Sequence, residues 1–314
     1  MSTLAHRVET MKLAAALGVA PEAVSMLAAA PPESIRALRT AYGEAVFARH
    51  ESRFRRIAQV AAAVPAAVSG RIAQLALPPA LAARVAAVMD APLAVRLAGS
   101  LSLDYLTSLS VSLDPLRAAP ILDGIDDDTV VAVGQGLLAR GEHLTLGRFV
   151  SVIKPDVAMR VVDGASGADL IQVALLAEDP AALDALIERI GDDVLVAAID
   201  AAHADDVYAD ALTLVSQVSA ANRDRLVGLI AQLDAAAVTG YLRSVHAHDA
   251  WAVVLPGLLV LDDAALARMV NVEATLADGV LETILAVAAE TGLGEVATRL
   301  PGLLDEEHRA ALAG

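Results

Sequence analysis

Residues suited to metal or nucleophilic chemistry are scarce in this chain. Its 314 residues include no cysteine and seven histidines, two of them close together in the run His246-Ala-His248-Asp249. Side chains two positions apart on a helix point to nearly opposite sides, and a zinc site needs three or four ligands. We therefore expect no metal here and predict a solvated helix end, with Asp249 as the N-cap residue of the next helix.

The densest group of carboxylates is the run Asp123-Gly-Ile-Asp126-Asp127-Asp128-Thr129. Such oxygen ligands suit Ca²⁺ or Mg²⁺, but the glutamate that closes a calcium-binding loop is missing. The alternative is an acidic first turn of a helix, which the helix dipole favours. The acidic turn is the better-supported interpretation, and the sequence predicts no cofactor.

Four polar residues interrupt the apolar middle of the chain, namely Arg140, Glu142, His143 and Arg148. Because an arginine pairs well with a carboxylate, these residues would suit the mouth of a site for a ligand with an acid headgroup. The alternative is an ordinary loop, with Arg140 at a helix C-terminus where a cation is favoured. We take these four as candidate ligand-binding residues.

A second candidate is a set of arginines on one long predicted helix. Arg49, Arg53 and Arg56 are spaced i, i+4 and i+7, so they share one arc of that helix. The apolar residues of this stretch are expected on other faces; they are Phe47, Phe54, Ile57 and Val60. The arc would suit an anionic partner or a membrane surface. The alternative is a solvated face that pairs with acidic residues of the same chain.

Catalytic signatures are missing from the sequence. It contains no G-x-S-x-G elbow and no P-loop, and Gly134-Gln-Gly136 lacks the strand and the spacing of a dinucleotide fingerprint. We therefore predict that the protein is not an enzyme.

The composition is apolar but poor in aromatic residues. Hydrophobic residues make up 56% of the chain and aromatic residues 3%. Alanine and leucine are the best apolar helix formers, so this balance favours closely packed helices. The longest uncharged run is 57–70 and contains Pro65, whereas a membrane-spanning helix needs about 20 residues. Together with the absence of cysteine, this predicts a cytoplasmic protein.

Charge is distributed unevenly along the chain. Residues 1–120 hold 12 basic and 8 acidic residues, whereas residues 121–314 hold 11 and 31. The total of −16 argues against nucleic acid as a partner, because phosphates require a basic footprint.

Signals for helix starts recur every 11–15 residues through most of the chain after residue 77. Most are Asp, Ser or Pro, which favour the first positions of a helix. The predicted starts are Pro78, Pro92, Leu103, Asp114, Asp127, His143, Pro155, Ser166, Asp179, Asp192, Asp205, Ala220, Asp234, Asp249 and Asp262. Before them, one long helix is predicted over 33–64, ended by Pro65.

These signals predict an all-α fold, a superhelix of short stacked helices with about 24–28 residues per pair, open as a solenoid or closed as a toroid. Three segments follow from this pattern. They are an N-terminal helical segment (1–77), a repeat array (78–272) and C-terminal capping helices (273–314).

Residues 144–202, which include LAEDPAALDALIERIGDD, resemble the short-helix superhelix of two families. One comprises the cytosolic N-terminal domains of MgtE-type magnesium transporters, and the other the FliG-type flagellar motor-switch proteins. The likeness extends over residues 78–270. The run from Arg140 to Val150 also resembles helical-repeat proteins of high-GC bacteria. The resemblance implies the fold and carries over no transport activity.

Two functions of different class are compatible with this pattern. A thin superhelix has little interior, so a surplus of aliphatic residues would suit a concave face or cavity that holds a lipid, sterol or acyl chain. We expect this carrier function first. The alternative is a scaffold that presents its acidic surface to a protein partner.

Overall fold

The computed structural model describes residues 4–204, 207–277 and 279–313. Within these ranges the regular elements are 21 α-helices and two 3-10 helices, with no strand, which confirms the predicted all-α class. The α-helices are α1 Leu4–Leu17, α2 Pro32–Ala62, α3 Ala66–Ala76, α4 Pro79–Ala86, α5 Ala91–Ala98, α6 Leu103–Ser110, α7 Pro115–Leu122, α8 Asp127–Ala139, α9 His143–Phe149, α10 Pro155–Val162, α11 Gly167–Leu175, α12 Pro180–Ile187, α13 Asp192–Ala204, α14 Tyr208–Gln217, α15 Ala220–Ile230, α16 Ala235–Ala247, α17 Trp251–Leu259, α18 Asp263–Val270, α19 Val280–Glu290, α20 Gly294–Leu303 and α21 Glu306–Ala313. The 3-10 helices are Pro21–Leu27 and Glu273–Leu276.

Side-chain caps explain why many of these helices begin where they do. In at least eight helices the side chain just before the first helical residue accepts a hydrogen bond from a backbone N–H of the first turn, which would otherwise lack a partner. The eight residues are Ser102, Asp114, Asp126, Ser166, Ser219, Asp234, Asp262 and Asp305. Most predicted starts fall within two residues of an observed one. The predicted start at Asp205 lies outside the described residues.

The predicted N-cap at Asp249 is wrong. Helix α17 begins at Trp251 with Ala250 as its N-cap, and no side chain caps it. Asp249 instead adopts a left-handed conformation with φ of 53° in the turn between α16 and α17. Asp is one of the few non-glycine residues that tolerate this conformation, so it ends one helix here and does not start the next.

Helix α2 is the long N-terminal helix that the sequence predicts. It covers 31 residues, which corresponds to a length of about 46 Å. Pro31 is its N-cap and Pro65 follows its end, so both bounds lie within two residues of the prediction. Its buried side chains are few, namely Ile35, Phe54 and Ala58, and most of its surface faces solvent.

Contacts between Cα atoms divide the chain into two compact units. Unit 1 comprises the described residues of Met1–Ala165 and Leu175–Asp179, and unit 2 those of Ser166–Ala174 and Pro180–Gly314. The boundary between the two units does not coincide with the predicted segment boundaries after residues 77 and 272. The three predicted segments differ in the kind of helix they contain, and they stay a prediction.

In unit 1 most helices contact the helix two places further along the chain. One row runs α2, α4, α6, α8 and α10, and the other α3, α5 and α7. Gly134 lets α8 and α10 approach closely. A Cβ atom at this position would lie only 2.6 Å from a methyl carbon of Val161. Such alternation is the contact pattern of stacked helix pairs.

Unit 2 repeats this alternation and has the more deeply buried core. Its rows are α13, α15, α17 and α19, and α14, α16, α18 and α20. Trp251, Leu255, Leu266 and Met269 are almost completely buried there. In the part of the chain that the structure describes, no helix combines the length and the apolar character needed to cross a bilayer.

Candidate binding surface and buried charge cluster

The predicted headgroup site does not form a single group around its two arginines. Arg140 follows α8 and donates hydrogen bonds to Oδ1 of Asp104 at 2.7 Å and to Oγ of Ser108 at 2.9 Å, both on α6. Arg148 lies in α9, with its Nε 3.9 Å from Oε1 of Glu178. The two arginines are therefore committed to different carboxylates.

The two residues between them lie at the start of α9. Glu142 is the N-cap of this helix, but its side chain makes no capping hydrogen bond, and His143 is the first helical residue. Both side chains are partly buried. A role of these two residues, and of Arg140 and Arg148, in ligand binding stays a prediction.

Arg148 belongs instead to a group of charged residues that the sequence did not predict. We call the set Glu9, Lys12, Arg39, Arg148 and Glu178 the charge cluster. Arg39 donates a hydrogen bond to Glu178 at 2.8 Å and lies 3.5 Å from Glu9, and Lys12 lies 3.8 Å from Glu9. The cluster joins α1, α2 and α9 to the segment Leu175–Asp179 within unit 1.

Two members of the cluster are buried to an unusual degree for charged residues. The side chains of Lys12 and Glu9 are 2% and 3% exposed. Burial lowers the pKa of Lys12 because it removes water from the ammonium group, and the nearby Glu9 and Glu178 carboxylates oppose this effect. Nε of Arg39 is buried without a hydrogen-bond partner among the described residues. The carboxylates are thus needed to keep these cations charged inside the protein.

A glycine allows the close approach that this cluster requires. A Cβ atom at Gly147 would lie 2.6 Å from the carbonyl carbon of Leu176 and 2.9 Å from the backbone nitrogen of Ala177. Only a residue without a side chain lets α9 pack so closely on this backbone. The next residue, Arg148, is thereby brought to Glu178. Sequence separation explains why local patterns did not reveal this cluster, since Arg39 and Glu178 are 139 positions apart.

The second predicted site, Arg49, Arg53 and Arg56 on α2, is open to solvent. All three side chains are exposed, and none forms an ion pair or hydrogen bond with the described residues. The neighbouring Arg55 differs, because it pairs with Glu51 at 2.6 Å on the same helix. Pairing of the arc with acidic residues of the same chain is therefore not seen in the described part.

The expectation that Val60 lies away from this arc is wrong. Val60 follows Arg56 by four positions and Arg53 by seven, so it shares their side of α2, and 69% of it is exposed. Phe54 is buried, and Phe47 and Ile57 pack against the cluster that it forms with α4. The arc is therefore a mixed surface of arginine and aliphatic residues.

Helix α3, whose start packs against the end of α2, carries a second exposed face. Its outer face carries Val68, Ile72 and Leu75 at spacings i, i+4 and i+7, and these residues are 49%, 54% and 85% exposed. We refer to Arg49, Arg53, Arg56, Val60, Val68, Ile72 and Leu75 together as the N-terminal surface. The spacing of these apolar residues is visible in the sequence, but the side of α3 that packs against the rest of unit 1 is not.

The inner side of α3 fixes the orientation of that outer face. Ser69 is buried and donates a hydrogen bond to the backbone carbonyl of Ala61 at 3.0 Å, which places the start of α3 against the end of α2. Gly70 faces Ser100, in the turn that follows α5, and an added Cβ atom would lie 2.0 Å from its Oγ. With these small residues inward, the valine, isoleucine and leucine side chains point to solvent.

The acidic run ends in the first turn of α8, as predicted, with Asp127 and Asp128 as its first two residues, whereas Asp123 is the C-cap residue of α7. Asp126 caps the helix, and its carboxylate accepts a hydrogen bond from the backbone N–H of Thr129 at 3.1 Å. Asp127 pairs with Lys154 at 2.7 Å, and Asp128 pairs with Arg160. Asp127 and Asp128 are thus paired with cations at the start and end of α10.

The histidine pair lies at the exposed end of α16. His246 is in the last turn and His248 follows the helix, and both are exposed, which confirms the predicted solvated helix end. Nε1 of Trp251 donates a hydrogen bond to Nδ1 of His246 at 3.4 Å. In the described ranges, no three histidine, aspartate or glutamate side chains come together as a metal site.

Searches of protein-family models, of curated proteins and of solved structures found no match to this chain. The likeness to the MgtE-type and FliG-type superhelices therefore stays a prediction.

Proposed function

We propose that this chain is a non-catalytic binding protein that docks on an anionic partner through its N-terminal surface. The observation that carries the proposal is the exposed arc of Arg49, Arg53 and Arg56, which has no ion-pair partner among the described residues and lies beside the exposed Val60. A cation without a carboxylate on the protein is available to one on a partner.

The distribution of exposed apolar residues supports the same surface. Ten of the 13 large hydrophobic residues that are exposed in the described ranges lie between residues 11 and 75. Exposed apolar surface is a feature of interaction sites, and four of these residues, Val60, Val68, Ile72 and Leu75, belong to the N-terminal surface. The large apolar side chains that are left exposed therefore lie mostly on the N-terminal helices, where a partner would cover them.

Retention on a phosphate-bearing cation-exchange matrix at neutral pH and low salt tests this proposal. The net charge of −16 predicts that the protein flows through, whereas a local basic surface predicts retention. We expect retention of the natural protein and its loss in the triple variant Arg49→Gln, Arg53→Gln, Arg56→Gln.

A matched control removes three cations that already have carboxylate partners. The variant Lys154→Gln, Arg160→Gln, Arg243→Gln has the same net charge as the test variant, but its three positions are ion-paired in the natural protein. It should be retained like the natural protein. Equal loss of retention in both variants would contradict a localised binding surface.

Carriage of an apolar ligand remains a second proposal, resting on the aliphatic surplus of the sequence. Native mass spectrometry of the purified protein tests it, since a lipid-like ligand would add a mass that organic extraction removes. The superhelical course of the helices and a cytoplasmic location also remain proposals, supported by the alternating helix contacts in each unit and by the lack of cysteine.

A further inference from the structure

The N-terminal surface combines two properties that few partners can match at once. Its apolar part is aliphatic, with Val68, Ile72 and Leu75 on one face of α3 and Val60 at the end of α2, all largely exposed. Its basic part is the arginine arc of α2, described above. A partner that covers the whole surface has to offer both negative charge and apolar volume.

The region around the N-terminal surface is positively charged, whereas the whole chain has a net charge of −16. Between residues 45 and 96 there are seven arginines, no lysine, and only two carboxylates, Glu51 and Asp90. Arg55 is the one arginine of this stretch with an ion pair among the described residues. The planar guanidinium group binds phosphate with two parallel hydrogen bonds, so a surface built from arginine alone suits phosphate esters.

A second copy of the chain would supply the negative charge but not the apolar surface that the N-terminal surface requires of a partner. Helices α19 and α20 carry the exposed Glu282, Glu290 and Glu295, which form no ion pair with the described residues and would complement the arginines. However, Val260 is the one exposed large aliphatic residue described in unit 2. The apolar face of α3 would therefore remain uncovered in such a contact.

A phospholipid bilayer offers both properties in one surface. Anionic headgroups attract each arginine that lies within a Debye length, and the boundary of the acyl chains accepts aliphatic side chains. Salt at physiological strength limits the Debye length to about 8 Å, so the acidic remainder of the chain is screened when it lies farther from the surface.

We propose that the N-terminal surface binds the face of an anionic phospholipid membrane, with the arginines of α2 at the phosphate groups and the aliphatic residues of α3 in the interfacial region. This inference rests on the proposed function and names its partner. Binding of this type is peripheral, and it is strengthened by both anionic lipid and apolar contact.

Co-sedimentation with sucrose-loaded vesicles tests the inference. The full chain should bind vesicles of phosphatidylcholine with 25% phosphatidylglycerol and bind pure phosphatidylcholine vesicles much more weakly. The variant Arg49→Gln, Arg53→Gln, Arg56→Gln should partition on the order of 100-fold more weakly, since each basic residue near such a surface contributes about one factor of five. The control variant with Lys154→Gln, Arg160→Gln and Arg243→Gln should bind like the natural protein.

A second variant tests the apolar part without changing any charge. Ile72→Ser with Leu75→Ser alters two exposed residues, so the fold should be retained, as circular dichroism can verify. We expect vesicle binding to fall at least tenfold, because the exposed side chains lose their apolar contact with the lipid. Unchanged binding in either this variant or the arginine variant would overturn the proposed orientation.

The two proposals fail in different ways. Retention on the phosphate matrix without vesicle binding would overturn the membrane inference and leave an acidic protein or a soluble phosphate ester as the partner. Vesicle binding that 10 mM glycerophosphate abolishes would also overturn it, because a free headgroup would then suffice. If the natural protein is neither retained on the phosphate matrix nor bound to vesicles, the proposed function itself is refuted.

Discussion

The substitution Glu9→Gln should destabilise unit 1 far more than a surface ion pair would lead one to expect. Glu9 accepts a hydrogen bond from Nε of Arg36 at 3.0 Å and lies within 4 Å of Arg39 and Lys12. Removing the carboxylate leaves the ammonium group of Lys12 buried with only Glu178 of the cluster to offset its charge. Breaking a buried pair in this way costs about 3–5 kcal/mol. Arg36 adds little to this cost, because half of its side chain is exposed.

Urea unfolding followed by far-UV circular dichroism measures the expected loss. The only tryptophan, Trp251, lies in unit 2, so its fluorescence does not report on α1, and hydrogen exchange of peptides from α1 and α2 should locate the effect. The matched control is Glu51→Gln, which removes an exposed pair with Arg55 and should cost less than about 0.5 kcal/mol. Equal stabilities of the two variants would refute the claim that the charge cluster stabilises the fold.

The pH dependence of this loss has a defined sign. Burial lowers the pKa of Lys12 in the folded state, so the unfolded chain binds more protons at that group and stability rises with pH until the unfolded pKa is passed. Without Glu9 the pKa of Lys12 falls further, because the attraction that opposes burial is gone. The stability gap between Glu9→Gln and the natural protein should therefore narrow as pH rises from 7 towards 10. A gap that widens over this range would contradict the assignment.

Three further substitutions test the packing of the chain by urea unfolding. Gly147→Ala should cost about 1–3 kcal/mol, since its Cβ atom would meet the backbone of Leu176, and a neutral effect would contradict the close approach of α9. In contrast, Gly43→Ala lies in α2 with nothing within 4 Å of an added Cβ atom and should stabilise by about 0.5–1 kcal/mol, so a loss would argue against the helix there. Tyr241→Phe removes a buried hydroxyl that has no hydrogen-bond partner among the described residues, and stability should rise by about 1 kcal/mol. A fall of similar size would indicate a partner for this hydroxyl.

The secondary structure was largely predictable because it depends on local chemistry. Asp114, Asp126, Asp234 and Asp262 each cap a helix through a hydrogen bond within three residues, and such spacing is visible in the sequence. Capping residues alone do not locate every helix start, as Asp249 shows. Aspartate favours the N-cap position, but it also tolerates the left-handed conformation that Asp249 adopts.

The candidate sites were only partly predictable. The arginine arc of α2 follows from helical spacing alone, and so does the position of Val60, which is four residues after Arg56 and seven after Arg53. The charge cluster depends on contacts between α1, α2, α9 and the segment Leu175–Asp179, and no local pattern indicates which distant carboxylate will meet a given arginine. The exposure of Val68, Ile72 and Leu75 likewise depends on which side of α3 packs, which Ser69 and Gly70 decide.

The central claim, that the N-terminal surface is covered by an anionic partner, can be tested with one fluorescent label. The chain has no cysteine, so Ile72→Cys provides a single attachment point on α3 for an environment-sensitive dye, and Val260→Cys provides a similarly exposed control in unit 2. Upon addition of phosphatidylglycerol-containing vesicles, we predict that emission from the label at position 72 shifts to shorter wavelength, whereas emission from position 260 does not. Equal responses from both labels, or an unchanged spectrum at position 72 while the protein sediments with the vesicles, would contradict the claim.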